Sequence, residues 1–439
     1  MGWKMLPTWL LAAALVMATT FCAAVPKANA SVLLCSSERD SGSLWSAVSE
    51  SVSCPSHVPY PARLAMVNIF DSFWVASSGM PTCCNARGGP ATFKDSVEAL
   101  SLANASGVRS FRFFADLWGP NKKWYVENQE QYWKEFDAWF GVVEKFGLFV
   151  IPSLGNADWY KATSNETAND MVVNSTSISR RLAVEYMRAF VSRYGNRNSV
   201  LMWELGNELN LHVNLPPNFC GGKQCFNTAQ MIQYNKALVD AIREAEPRDR
   251  PPRPISSGYS APRPTAWHQE HCPLSSKMNC KADPGTGYWS QDTLEQRLEM
   301  LQLQNTGVEV WSMHMYDNPL GTRNTSFLAS ASALAKNASA VIFVGEYGGH
   351  GPNFTGPASE SRRFPSLVLD QQVKDAQQGG SFIISSVWAW ACPSHRKDMV
   401  CIWPGQPDGE KESGTKPMLA LLKNANKRLA SNGVSRRSR

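Results

Sequence analysis

From residue 63 onward, short apolar runs alternate with longer stretches in which apolar residues recur every three or four positions. The runs predict strands over Arg63–Phe70, Val108–Phe114, Leu148–Leu154, Ser199–Gly206, Pro254–Ser257, Val308–Met315, Val341–Glu346 and Phe382–Ala389. The periodic stretches predict helices, among them Asn128–Lys145, Ile178–Tyr194, Thr228–Glu246, Asp292–Gln302, Ser326–Ala335 and Ser361–Gln378. In the first of these, Trp133, Phe136, Trp139, Phe140 and Val143 share one face, which reads as core. Several strands are apolar throughout, as strands covered on both faces of a parallel sheet are. Eight strands with helical crossovers are the number that closes a (β/α)8 TIM barrel, here a single α/β domain over 61–422. An open doubly wound sheet is the alternative, but no Gly-rich phosphate loop follows the first strand. Two loops are long, Leu211–Phe226 and Gly258–Ser290, and both follow strand ends on the face where barrels carry their sites.

The termini read differently. Lys4, the apolar run Leu6–Val25 and the small-x-small sequence Ala28-Asn29-Ala30 predict a signal peptide over 1–30, with a mature start near Ser31. An uncleaved membrane anchor is the alternative; no later run is long and apolar enough to span a bilayer. Residues 31–60 read as an N-terminal extension and 423–439 as a basic, solvated tail. The formal charge of +6 over 439 residues comes partly from that tail, and no polybasic stripe interleaved with aromatics appears elsewhere, so no nucleic-acid partner is expected. A secreted protein with no membrane contact after signal cleavage, acting as a monomer, is the expectation.

Cysteine usage agrees with export. Of the 11 cysteines, Cys22 falls in the signal, leaving an even number. Close spacing predicts the bridges Cys220–Cys225, Cys272–Cys280 and Cys392–Cys401, clipping the long loops; the pairing of Cys35, Cys54, Cys83 and Cys84 stays open. Zinc is the competing reading, but no Cys-x-x-Cys occurs. Asn-x-Ser/Thr sites at Asn104, Asn165, Asn174, Asn324, Asn337 and Asn353 are candidate glycan acceptors.

Two carboxylates stand out by position. Glu208 ends the fourth strand in Trp203-Glu204-Leu205-Gly206-Asn207-Glu208, and Glu346 ends the seventh in Val344-Gly345-Glu346-Tyr347-Gly348. In a barrel these strand ends face each other across the mouth. Two carboxylates roughly 5–5.5 Å apart are what retaining glycoside hydrolysis needs, one as nucleophile and one as acid/base. Each taken singly reads as a rim carboxylate in a salt bridge; the matched pair does not.

On these residues the chain resembles glycoside hydrolase family 5, over about residues 63–405. The Asn-Glu pair ending strand four matches Asn207-Glu208, which implies Glu208 as acid/base. The Glu-Phe/Tyr-Gly element of strand seven matches Glu346-Tyr347-Gly348, which implies Glu346 as nucleophile. Gly-x-Asn-x-x-Arg at strand two appears as Gly107–Arg112, with Arg109 in place of the usual Asn and Arg112 as the family's arginine. His-x-Tyr of strand six matches His314-Met315-Tyr316, and the strand-eight tryptophan looks like Trp388, with Trp390 competing. Trp-Glu-Leu-x-Asn-Glu and the region of Leu154-Gly155-Asn156 and Trp159 look most like endo-β-1,4-mannanases. Two departures are a leucine, Leu209, where a proline follows the acid/base, and one extra residue between Asn156 and Trp159.

The resemblance implies a polysaccharide substrate, mannan first and β-glucan second. Alternatives are a heparanase-type glucuronidase of the same clan and a barrel that binds sugar without cleaving it. Arg112 is expected to keep Glu346 charged, Tyr316 to donate to the same carboxylate, and Asn207 to bond the substrate 2-hydroxyl. His314 either tunes the acid/base or lines the barrel; Glu204 reads as an interior, paired carboxylate. Flat indoles suit the apolar faces of pyranose rings. Trp388 is the central-subsite candidate, with Trp159, Trp267, Trp289 and Trp403 in loops, while Trp203 and Trp311 read as core. No metal or organic cofactor is implied, because two carboxylates suffice.

Overall fold

A computed structural model describes residues 63–80, 92–155, 158–163, 165–220, 225–317, 325–350, 363–390 and 415–434. The expected signal peptide, the N-terminal extension, Cys35, Cys54, Cys83, Cys84 and the Cys392–Cys401 pair lie outside these residues. So do Asn156, Trp403, Asn324 and Asn353.

The strands are β1 (Leu64–Asn68), β2 (Ser110–Phe114), β3 (Phe149–Ser153), β4 (Trp203–Glu204), β5 (Ile255–Ser256), β6 (Val310–Asp317), β7 (Val341–His350) and β8 (Phe382–Val387). Each pairs in parallel with the next, and β8 returns to β1, giving a closed (β/α)8 barrel. All eight fall within or beside the predicted runs. The run Ser199–Gly206 is apolar for longer than it is paired: outside Trp203–Glu204 it follows β3 through an isolated bridge, Val150–Val200, and a bond from the Leu201 N–H to Val150 O of 2.9 Å.

Alternation along the strands sorts their side chains into two layers. Ala65, Val67, Phe111, Phe113, Val150, Ile342 and Val344 join the large core beneath the helices. Their neighbours Leu64, Met66, Ile151, Val341 and Phe343 form a separate cluster, which is the barrel interior. The helix Gln129–Lys145 turns Phe136, Trp139, Phe140 and Val143 to the outer core as its spacing predicts, with Trp133 packed partly buried against it. Four other helices begin with side-chain capping boxes, at Thr92, Thr167, Asn227 and Thr293.

The C-terminal boundary is corrected. A helix, Thr415–Val434, runs through the expected start of the tail at 423 and buries Met418, Leu422, Ala425 and Leu429 against the barrel. Asn426 accepts from the Ala65 N–H and donates to the Ala65 carbonyl, both at 2.8 Å. Lys423, Lys427 and Arg428 are exposed, so this part of the basic stretch is the solvent face of an amphipathic helix.

The two long loops are each clipped by a disulfide, Cys220–Cys225 and Cys272–Cys280. They are also bolted to one another. Arg263 donates to the carbonyls of Leu211 and Val213, and Tyr288 donates to that of Asn214. Among the described residues no helix is long and apolar enough to cross a membrane. Asn165, Asn174 and Asn337 are exposed, and Asn104 is half-buried.

Candidate active site

Arg112 is the pivot. It lies in β2 between two outward phenylalanines, so alternation sends it into the barrel, where it is fully buried. Its Nε donates to both oxygens of Glu204 at 2.9 and 3.1 Å, Nη1 donates to Glu346 Oε1 at 2.8 Å and to Asn68 Oδ1 at 3.0 Å, and Nη2 donates to Asn207 Oδ1 at 2.8 Å. Burial alone would lower the guanidinium's pKa, but the charges and hydrogen bonds of Glu204 and Glu346 outweigh it and raise it. Glu204 is thus the interior, paired carboxylate that its position in the strand predicts. An arginine has only donors, so its contact fixes the oxygen of the Asn207 amide inward.

Glu346 reaches the barrel mouth by an irregularity. Simple alternation would send it outward with Val344, but the pairing of β6 with β7 shifts by one residue between Met313/His314, so that Met313 faces Val344 and His314 faces Glu346. Gly345 is the extra residue of this bulge. A Cβ there would lie 2.8 Å from His314 Nε2 and 3.3 Å from Ser312 Oγ, and the Gly345 carbonyl accepts from Asn68 Nδ2 at 2.9 Å. The bulge re-aims the following side chain, a common use beside active sites. Glu346 is 5% exposed, with Arg112 on one oxygen and the Tyr316 hydroxyl on the other. Burial and the charges of Glu346 and Glu208 push the Tyr316 hydroxyl far above its ordinary pKa, so it stays a donor.

Glu208 is held differently. Its backbone is left-handed, φ 54° and ψ 28°, a conformation costing a non-glycine residue about 1–2 kcal/mol. Its N–H donates to Gly258 O at 2.9 Å, and Gly258 is itself at φ 72° with no room for a Cβ, which would sit 1.6 Å from Gly206 O. A proline at 209 would push Glu208 toward extended backbone; Leu209 leaves the left-handed conformation open. The Glu208 side chain is 27% exposed, and its Oε1 lies 3.0 Å from His314 Nδ1. Partial burial pushes its carboxyl up, but the His314 hydrogen bond and charge, Arg112 and the Ser260 hydroxyl together hold it below the usual carboxylate range. Nearby His212 is lowered by burial and by the Arg263 charge.

Side-chain donor atoms of Glu208, His314 and Glu346 all lie within 4.8 Å of one another. Such a trio has the chemistry of a divalent-cation site, but Arg112 already occupies Glu346 Oε1 as cationic partner. The structure therefore brings together six expected residues: Glu208, Glu346, Arg112, Asn207, His314 and Tyr316.

The tryptophans divide. Trp388 follows β8, stacks on Phe70 with ring centroids 4.6 Å apart, and its backbone N–H donates to Tyr347 O, next to Glu346. It keeps 8% exposure, whereas Trp390 keeps none. Trp159 is corrected: it is 1% exposed, packed against Tyr125 and Tyr186 with the buried Lys122 ammonium over its ring, so it is core and presents no face to a ligand. Trp289 is exposed in the fifth loop, and Trp267 stacks on His271. Trp203 and Trp311 are buried as expected.

Sequence reasoning missed Asn68, which shares Arg112 and the bulge. The available signal was a lone amide closing the apolar run Leu64–Val67. It also missed the buried group of Lys122, Asp116 and Asp158 beside Trp159.

A family model described as Cellulase (glycosyl hydrolase family 5) matches residues 70–370. No curated protein sequence matches the chain. Among solved structures, a glycoside hydrolase family 5 mannosidase from Rhizomucor miehei superposes with TM-score 0.54 at 13% identity, covering 86% of this chain and 95% of that one. The endo-beta-1,4-mannanase from Thermotoga petrophila gives 0.53 at 12% identity, covering 84% and 77%. GH5_18 from Streptomyces cattleya in complex with GlcNAc gives 0.52 at 15%, covering 84% and 80%.

Proposed function

The chain belongs to glycosyl hydrolase family 5, and from that premise we propose that it is a secreted retaining endo-β-1,4-mannanase in which Glu346 is the nucleophile and Glu208 the acid/base. The observation carrying the mechanism is the separation of the two carboxylates, whose oxygens lie within 4.8 Å. Retaining enzymes keep theirs about 5–5.5 Å apart, and inverting ones about 6.5–9.5 Å, to admit a water.

In the first step Glu346 attacks the anomeric carbon, the glycosidic C–O bond breaks, and Glu208 gives its proton to the departing oxygen. In the second, Glu208 takes a proton from water as the water oxygen attacks that carbon, and the ester bond to Glu346 breaks. Arg112 and Tyr316 hold the attacking carboxylate, and the amide of Asn207, fixed by Arg112, offers its NH2 to the sugar 2-hydroxyl. Glu208 must carry a proton when substrate is bound. A sugar over its exposed quarter removes water and strengthens the desolvation that raises its carboxyl. Esterification then removes the Glu346 charge. Trp388 supports a sugar ring at the mouth in preference to Trp390, because only Trp388 keeps exposure.

Mannan is favoured by the strand-four sequence and by the names of the mannosidase and mannanase neighbours. A β-glucan is the second reading, favoured by the description of the family model. Two loop disulfides support export, with a signal over 1–30. One chain supplies every group named, which supports action as a monomer.

The test is hydrolysis of mannan, β-glucan and a uronide-containing glycan by the wild type, Glu208→Ala and Glu346→Ala, with the anomeric configuration of the first product read by NMR. Retained configuration and loss of activity in both variants are expected. Full activity in either variant, or an inverted product, removes the assignment. Binding by calorimetry with no release of reducing sugar would make the protein a lectin-like barrel.

A further inference from the structure

We infer that Asn210 is a positioning residue for the acid/base, a side chain that continues the β4–β5 ladder past the point where the β4 backbone has turned away and so fixes where Glu208 points. The inference rests on the glycosidase reading above. Along the fifth strand every second carbonyl serves the fourth: Leu205 N–H donates to Ser256 O at 2.8 Å, and Glu208 N–H donates to Gly258 O at 2.9 Å. The next carbonyl in that series is Ser260 O, and among the described residues no backbone N–H reaches it. The backbone has entered a single 3-10 turn, Leu209–His212, closed by Leu211 N–H on Glu208 O at 3.0 Å.

The Asn210 amide takes the place of a peptide. Its Nδ2 donates to Ser260 O at 2.8 Å and its Oδ1 accepts from Ser260 N–H at 3.1 Å, a two-way pair of the kind one peptide makes with another. The second Nδ2 hydrogen goes to Gln304 Oε1 at 2.9 Å, on the helix Leu294–Gln304. Asn210 is 2% exposed, so these bonds are made away from water.

What the pair holds in place is the acid/base environment. Ser260 lies two residues past Gly258, whose carbonyl holds the Glu208 N–H, and the next N–H, of Ala261, donates to His314 O at 3.1 Å. One clamp therefore sets both the end of the fifth strand that holds the Glu208 backbone and His314, which touches the Glu208 carboxylate from the sixth. On its other side the turn borders a small cavity lined by Asn207, Leu209, Met187, Tyr234 and Leu238, with about 20 Å³ of water-accessible space. Packing beneath the turn is incomplete, and Leu209 does not stiffen it as a ring would.

The test separates positioning from mere stability by leaving group. Wild type, Asn210→Ala and Gln304→Ala are compared on a polysaccharide, whose departing alcohol needs a proton, and on a dinitrophenyl glycoside of the same sugar, whose departing phenolate does not. Thermal unfolding and a pH profile of kcat/KM accompany each variant. Asn210→Ala is expected to lose about 10- to 100-fold in kcat on the polysaccharide, with KM little changed, and under about threefold on the first step with the dinitrophenyl glycoside. Azide should accelerate turnover of the latter by replacing water. Gln304→Ala, which removes one of the three bonds, should show the same selectivity at smaller size and keeps the question answerable if Asn210→Ala does not fold. An equal loss on both substrates, or no loss on either in a folded variant, overturns the inference while leaving the glycosidase reading intact. A wild type that cleaves neither substrate nor any other glycoside overturns both.

Discussion

Glu346 and Glu208 reach within 4.8 Å of one another from opposite kinds of structure. Glu346 belongs to β7, ten residues long, is 5% exposed, and has each oxygen engaged by an interior group. Glu208 follows a two-residue strand, sits on left-handed backbone, and leaves 27% of its side chain to solvent. The ladder and the bulge place the first; a turn pinned by side chains places the second. The difference matches the work proposed for each. A nucleophile must present a charge at a fixed point and gains from a dry, preorganised setting. An acid/base passes a proton to one oxygen and takes it from another, so it must be reached by water and by the leaving group in turn.

The contrast can be broken most severely at Glu346. Glu346→Ala should abolish turnover by several orders of magnitude whatever the leaving group, and azide should then give a product of inverted configuration. Retained turnover of an activated aryl glycoside would erase the distinction between the two sites. Glu208→Ala should cost about 10²–10⁴-fold on polysaccharide but far less on the first step with a dinitrophenyl glycoside, with azide giving a product of retained configuration. Identical azide products from the two variants would contradict the roles.

Arg112→Met comes next in size. It strands Glu204 and Glu346 in the interior and should cost about 3–5 kcal/mol in urea unfolding, whereas removing an exposed pair such as Arg188–Glu244 should cost well under about 1 kcal/mol. The smallest effect is a shift in pH dependence. His314→Gln removes the hydrogen bond and charge that hold the Glu208 carboxyl low, while its partial desolvation persists. Its pKa should rise, its proton should persist to higher pH, and the alkaline limb of kcat/KM should move upward. A limb that moves downward would show that His314 is not what lowers Glu208.

Much of the barrel was legible because its signals are local. Apolar runs bounded by polar residues mark strands whatever their partners, and Ile178–Tyr194 emerges as the helix its spacing predicts. The site was legible only in part. Glu208, Glu346 and Arg112 could be placed at strand ends, yet strict alternation turns Glu346 outward, and the bulge at Gly345 depends on contacts with Ser312 and His314 that no single segment encodes. Trp159 shows the opposite failure. An indole after a strand end looks like a sugar platform, but the niche between Tyr125, Tyr186 and Lys122 is formed by two other segments, the helices Lys122–Glu127 and Ile178–Tyr194, and burying the ring there removes more apolar area from water. Asn210 was passed over because an amide in a loop is ordinary until its partners are known. The basic stretch after 423 was judged by charge, which hid the apolar stripe of Met418, Leu422, Ala425 and Leu429 running through it.

The pairing of Asn426 with both polar atoms of Ala65 has a consequence for how the protein is made. Strand β1 lacks its protein partners for the Ala65 N–H and C=O until the helix Thr415–Val434 has been synthesised, and its β8 partner also comes late. Nascent chains of this protein therefore keep the barrel unclosed for almost the whole of synthesis. Truncating the helix would leave that opening seam permanently unsealed.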